Sequence, residues 1–144
     1  MSLAKAGAAA GLFAALAGTS PSARLDVNVE RMRSDEGMLH ICVTRDDDYF
    51  PDCEEDPNRI TRSIRADGSL TARFTNLPSG GYAVSIVHDE NSNDRLDRFA
   101  GIPREGIGFS RNPRFTFGPP AFSAARFTLS NGEGRQDIRM RYFL

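Results

Sequence analysis

Between His88 and Asp97 the chain reads His88-Asp89-Glu90-Asn91-Ser92-Asn93-Asp94-Arg95-Leu96-Asp97, with oxygen-bearing side chains at alternate positions. A hard cation such as calcium takes about six to eight oxygen ligands, and loops of the EF-hand type supply them from alternate residues and one backbone carbonyl. Asp89, Asn91, Asn93, the carbonyl of Arg95 and Asp97 occupy that series in order. Leu96 would turn toward the core and tether the loop. Two positions depart from the pattern: Asp94 stands where glycine makes the sharp turn, and Ala100 stands where a bidentate carboxylate closes the site. Glu105, a few residues on, is the candidate to supply that carboxylate by folding back. With fewer carboxylates the expected affinity is weak, on the order of 10⁻⁴ to 10⁻³ M. The same Asp and Asn residues also make Asx-turns to nearby backbone groups without any ion, and both readings stand at this point.

Other chemistry is thinner. His88 is a candidate general base, and Ser110 in Gly108-Phe109-Ser110 a candidate nucleophile, for a hydrolase. Neither a G-x-S-x-G elbow nor an oxyanion hole is legible, so the expectation is a protein that is not an enzyme. Cys42 and Cys53 are the only cysteines. In an oxidising compartment they are expected to form a disulfide, which for so short a loop stabilises by roughly 2 to 3 kcal/mol. Buried thiols or a redox pair are the competing readings, but the spacing is not C-x-x-C. Zinc is poorly served, because only His40 and His88 could join the cysteines and neither stands at finger-like spacing.

At 144 residues the chain is the length of one domain, able to bury a core without help from metals. Its 18 basic and 19 acidic residues nearly cancel, which leaves no strong field for nucleic acid or an anionic membrane. Residues 1 to 5 carry one positive charge, Ala6 to Ala17 form an apolar run of small residues, and Gly18 to Ala23 supply small residues where a signal peptidase cuts. That run falls short of the roughly 20 residues a membrane span needs. The expected organisation is a signal peptide over 1–23, cleaved between about 17 and 23, followed by one domain over 24–144. The mature chain is then periplasmic or extracellular, with no membrane span.

The elements that must position the loop follow period two. Leu25, Val27 and Val29 alternate with polar residues, Ser34 to Gly37 reads as a turn, and Met38 to Thr44 as the second arm of a hairpin. Arg45 to Asn58 is an acidic loop with Pro51 and Pro57, and Ile60 to Ile64 a short edge strand. Leu70 to Asn76 alternates, Leu77 to Gly81 breaks the pattern, and Tyr82 to Val87 is apolar enough to be central. That central strand runs directly into the candidate cation loop. Ala124 to Leu129 and Gln136 to Phe143 close the chain as strands around Ser130 to Gly134. The segment from 98 to 122 is too long for a plain loop, so it is either functional or hides a strand. Its Phe99, Phe109, Phe115, Phe117 and Phe122, with Arg104, Arg111 and Arg114, could present a surface to a glycan or an envelope protein, or plug an open end of the core.

Leu77-Pro78-Ser79-Gly80-Gly81-Tyr82-Ala83-Val84, the loop from His88 to Asp97, Gly101 to Asn112 and Gly118-Pro119-Pro120-Ala121-Phe122 together resemble an uncharacterised bacterial family of predicted exported proteins, domain of unknown function 2141. The resemblance runs from about Leu25 to Leu144 and implies an exported single-domain protein with no assigned activity. Members commonly carry Gly where this chain has Asp94. The loop is also similar to the D-x-N-x-N-G-x-x-D loops of calcium-binding β-sandwich repeats in bacterial surface proteins, an analogy that does not transfer function. The expected architecture is all-β, an antiparallel sandwich of about seven strands of transthyretin-like or immunoglobulin-like kind. Its expected role is to bind calcium structurally; the alternative is a metal-independent binding module that uses the 98–122 segment.

Overall fold

The computed structural model describes residues 4, 7–12, 22–96, 98–99, 102–116 and 118–144. The segment expected to be a signal peptide therefore lies largely outside the described residues, and Asp97 lies outside them too. Strands in chain order are β1 (Ser22–Glu30), β2 (Met38–Thr44), β3 (Ile60–Arg65), β4 (Thr71–Pro78), β5 (Gly80–Asp89), β6 (Arg98–Phe99), β7 (Ile102–Pro103), β8 (Gly106–Phe109), β9 (Phe127–Leu129) and β10 (Gly132–Arg139). One four-residue helix, α1 (Phe122–Ala125), precedes β9. The class is all-β, as the alternating pattern requires. Among the described residues no helix is long and apolar enough to cross a membrane.

Two principal sheets form. One has the order β10-β1-β4, and the other β3-β2-β5-β8 with β9 added to β5. The period-two pattern of β1 buries Leu25, Val27 and Val29 and leaves the residues between them at the surface. These three join Ala72, Phe74 and Ile138 from the first sheet and Leu39, Ile41, Val43, Val84 and Ile86 from the second in one buried cluster. Successive residues of a strand face opposite ways, so Ala83 and Val87 of β5 point away from that cluster. They meet a second one, made by Ile107, Phe109, Phe115 and Ala125 with Phe50, Leu96, Phe122 and Phe143 packed around it. With both faces covered, β5 is buried along nearly its whole length.

Two expectations need correction, and one open alternative is decided. The turn over Ser34 to Gly37 does not close a hairpin: β1 pairs with β4 and β10, whereas β2 pairs with β3 and β5. Alternation says which face of a strand is apolar but not which strand lies beside it. Pairing is not wholly antiparallel either, because β1 runs parallel to β10, Ala23 facing Gly132 through Glu30 facing Arg139. A parallel pair needs a long connection, and the first and last strands have the whole domain between them. The segment from 98 to 122 also hides strands. Within it, β8 pairs with β5 from Ser85 opposite Phe109 to His88 opposite Gly106. Gly108 lets β8 approach its neighbour closely, since a Cβ there would sit 2.8 Å from Ile138 Cγ2 and 2.9 Å from Met140 Sδ. The expected disulfide is present, joining Cys42 of β2 to Cys53 with their Cα atoms 6.3 Å apart.

Candidate metal centre at the end of the central strand

Asp89 is the last residue of β5, and its side chain is wholly buried. One carboxylate oxygen, Oδ1, accepts the N–H of Asn93 at 3.1 Å. The other, Oδ2, accepts the N–H of Asp94 at 2.7 Å and lies 2.9 Å from His40 Nε2. Burial pushes the Asp89 carboxyl up, but the bonds from His40, Asp94 and Asn93 outweigh it and hold the group below its ordinary value. It is a carboxylate by construction of its surroundings.

The loop beyond it is a chain of Asx-turns. Asn91 Oδ1 accepts the N–H of Asn93 at 3.3 Å, and Asn93 Oδ1 accepts that of Arg95 at 3.0 Å. Ser92 and Asp94 take left-handed backbone angles, with φ of 56° and 60°. Asp94 thus makes the turn for which glycine was expected, at the modest cost that Asp and Asn tolerate. Leu96 packs against the second apolar cluster, as a tether should. On the other side the loop is held by Gly37, whose φ is 75°. A Cβ at Gly37 would run into the carbonyl oxygen of Asp89 and come within 2.7 Å of that of Glu90.

His40 was the residue that sequence reasoning missed, having been weighed only as a partner for the cysteines. It stands in the middle of β2, paired in register with Val87 of β5 on one side and Ser63 of β3 on the other. The ring therefore leans diagonally onto Asp89, two residues beyond Val87. Its Nδ1 lies 2.8 Å from Ser63 Oγ, and its Nε2 lies 3.4 Å from Asp94 Oδ1. His40, Asp89 and Asp94 each offer one ligand atom, and these atoms all lie within 4.8 Å of one another. The register that brings His40 to the loop is non-local, and only the polarity of position 40 in an apolar strand hinted at it.

Glu105 is buried just before β8. Its charge acts on Arg33, whose guanidinium is held more firmly protonated first by the Glu90 bond, against the cost of burial, and in smaller part by Glu105. Arg33 donates to Glu90 Oε1 through Nε at 2.9 Å, to the backbone oxygens of Arg104 at 2.9 Å and Leu144 at 2.6 Å, and lies 4.5 Å from the centre of the Tyr142 ring. It ties the carboxylate after Asp89 to the chain before β8.

The residues considered for hydrolysis have other partners. His88 Nε2 lies 2.7 Å from the carbonyl of Glu36, which can only accept, so Nε2 donates; Nδ1 is 2.7 Å from the Tyr142 hydroxyl. Ser110 Oγ accepts the N–H of Val84 at 2.9 Å and donates to the carbonyl of Ala125 at 2.6 Å. Val84 and His88 are four residues apart on one strand, a rise of about 13 Å. In the 98–122 segment Phe109 and Phe115 are buried against each other, ring centres 5.0 Å apart, while Arg111 is exposed. These phenylalanines pack rather than present themselves.

Among protein families, residues 27–137 match the one described as "Uncharacterized protein conserved in bacteria (DUF2141)". No curated protein and no solved structure matches the chain.

Proposed function

The chain belongs to the DUF2141 family, and on that premise we propose that it is an exported β-sandwich module with a structural calcium site in the loop after β5. Asp89, Asn91, Asn93 and Asp97 are the side-chain donors, Arg95 supplies its carbonyl, and Glu105 is the reserve carboxylate. The observation that carries this reading is the closure of the loop on Asp89. Backbone N–H groups four and five residues onward bond its two carboxylate oxygens, so the chain curls around one buried anion. A cation there offsets that charge and pins the segment leading to β8. The role is binding rather than catalytic.

Two features support the sandwich. Both sheets feed one buried cluster, and the hydroxyl of Tyr82, at the start of β5, donates to the carbonyl of Pro78 four residues upstream at 2.5 Å, as the tyrosine corners of sandwich domains do. Export is supported by the disulfide, which persists in oxidising compartments. β1 already begins at Ser22 and Ala23 is buried, so a cut near Ala17 leaves the strand whole.

The test is thermal unfolding in 10 mM calcium against chelator. For a dissociation constant of about 10⁻⁴ to 10⁻³ M, linkage gives a gain of roughly 1.4 to 2.7 kcal/mol. Asp89→Ala abolishes the gain. Equal melting temperatures in calcium and in chelator would refute the site.

A further inference from the structure

We propose that the cation site at the end of β5 is a mixed nitrogen and oxygen site, in which His40 Nε2, Asp89 Oδ2 and Asp94 Oδ1 take a borderline divalent ion such as zinc in preference to calcium. This rests on the reading that the loop after β5 holds a cation, and it changes which ion the site selects. Zinc bonds imidazole nitrogen and carboxylate oxygen at about 2.0 to 2.2 Å, which sets neighbouring ligand atoms of a tetrahedron roughly 3.3 to 3.5 Å apart. His40 Nε2 and Asp94 Oδ1 are already 3.4 Å apart, and His40 Nε2 and Asp89 Oδ2, at 2.9 Å, need to open by only a few tenths of an ångström.

The supports differ in stiffness in a useful way. His40 lies in β2 between two paired strands, and Asp89 ends the central strand, so two ligands stand on rigid elements. Asp94, with its side chain 85% exposed, is on the loop and can close on the ion from the solvent side. Behind the imidazole, Ser63 Oγ sits 2.8 Å from Nδ1. A hydroxyl can donate or accept. As the ring stands, Nε2–H donates to Asp89 and Nδ1 accepts from Ser63. A metal at Nε2 displaces that proton, and the ring N–H then sits on Nδ1 and donates to Ser63, the arrangement that orients metal-binding histidines. Calcium prefers oxygen donors, whereas imidazole suits zinc, copper, iron and nickel. A nitrogen donor fixed on a strand therefore decides selectivity.

The experiment uses the full chain and cobalt(II) as the optical probe, with zinc competition for affinity and melting for calcium. His40→Gln keeps an amide donor beside Asp89, and Asp94→Asn alters an exposed residue; urea midpoints in chelator confirm that both variants fold. The expected result is that His40→Gln weakens zinc about tenfold or more, shifts the cobalt spectrum and leaves the calcium melt unchanged, with a smaller loss in Asp94→Asn. Zinc affinity and cobalt spectrum unchanged in both variants would overturn the mixed site, while a calcium gain lost in Asp89→Ala would leave the calcium reading standing. His40-dependent zinc binding with no calcium gain sinks the calcium reading alone. No response to either metal sinks both.

Discussion

Asp89 carries the loop through three donors that meet on one carboxylate: the N–H groups of Asn93 and Asp94 and the ring of His40. Replacing it by alanine removes the acceptor from all three, and an unpaired buried donor costs about 1 to 3 kcal/mol. The loop N–H groups regain some solvent, so Asp89→Ala is expected to lower stability by roughly 2 to 4 kcal/mol in chelator, read from the urea midpoint. A surface carboxylate behaves differently. Asp26 accepts from Arg73 Nε at 2.9 Å, and that bond holds its carboxyl below the usual value. A depressed folded-state value means the stabilisation is present above the unfolded value of about 3.9 and is lost as pH falls through the folded one. Arg73→Ala should therefore lower stability slightly at pH 7, the solvent-screened pair contributing little. That difference should vanish once Asp26 is protonated at lower pH, and persistence of the full difference in acid would contradict it. At this scale the alternating oxygens were readable from the sequence, since their spacing is local. His40 was not.

Among the elements, the turn before β2 decides whether the loop can form. Gly37 has a φ of 75° and packs directly on the carbonyls of Asp89 and Glu90. Gly37→Ala combines backbone strain of about 1 to 3 kcal/mol with a collision against main chain that cannot move without breaking β5. The expected outcome is a loss above about 2 kcal/mol, together with amide chemical-shift changes across residues 89–94 larger than those in β10. Shifts confined to residues 34–38 would show that the turn and the loop are independent. The sequence marked this turn but misassigned its purpose, because Ser-Asp-Glu-Gly reads the same whether the next strand joins the same sheet or the other. β8 escaped for a related reason. In Gly106-Ile107-Gly108-Phe109 the glycines erase the apolar signal on the face toward β10, where close approach replaces side-chain packing.

For the whole molecule, the disulfide ties the acidic loop to the face of β2 that carries His40. Cys42 and Cys53 are separated by 11 positions and both are buried. Loop-closure entropy for that length predicts a loss of about 2 to 3 kcal/mol on reduction. Urea unfolding with and without reductant measures it, and the doubly substituted Cys42→Ser, Cys53→Ser chain should match the reduced protein. An unchanged midpoint on reduction would mean that the second cluster alone holds the loop. Composition and local pattern determined what local forces decide: an all-β class, the burial of alternate residues in β1, the central character of β5, the disulfide and the polar loop that follows β5. Only the tertiary structure decided which strands are neighbours, that β1 runs parallel to β10, and that His40 faces Asp89 and Asp94. The physical reason is the same in each case. A strand's own sequence specifies its apolar face, whereas its partners and register are chosen by the joint packing of two sheets around one core, and residues far apart in the chain meet only when that choice is made.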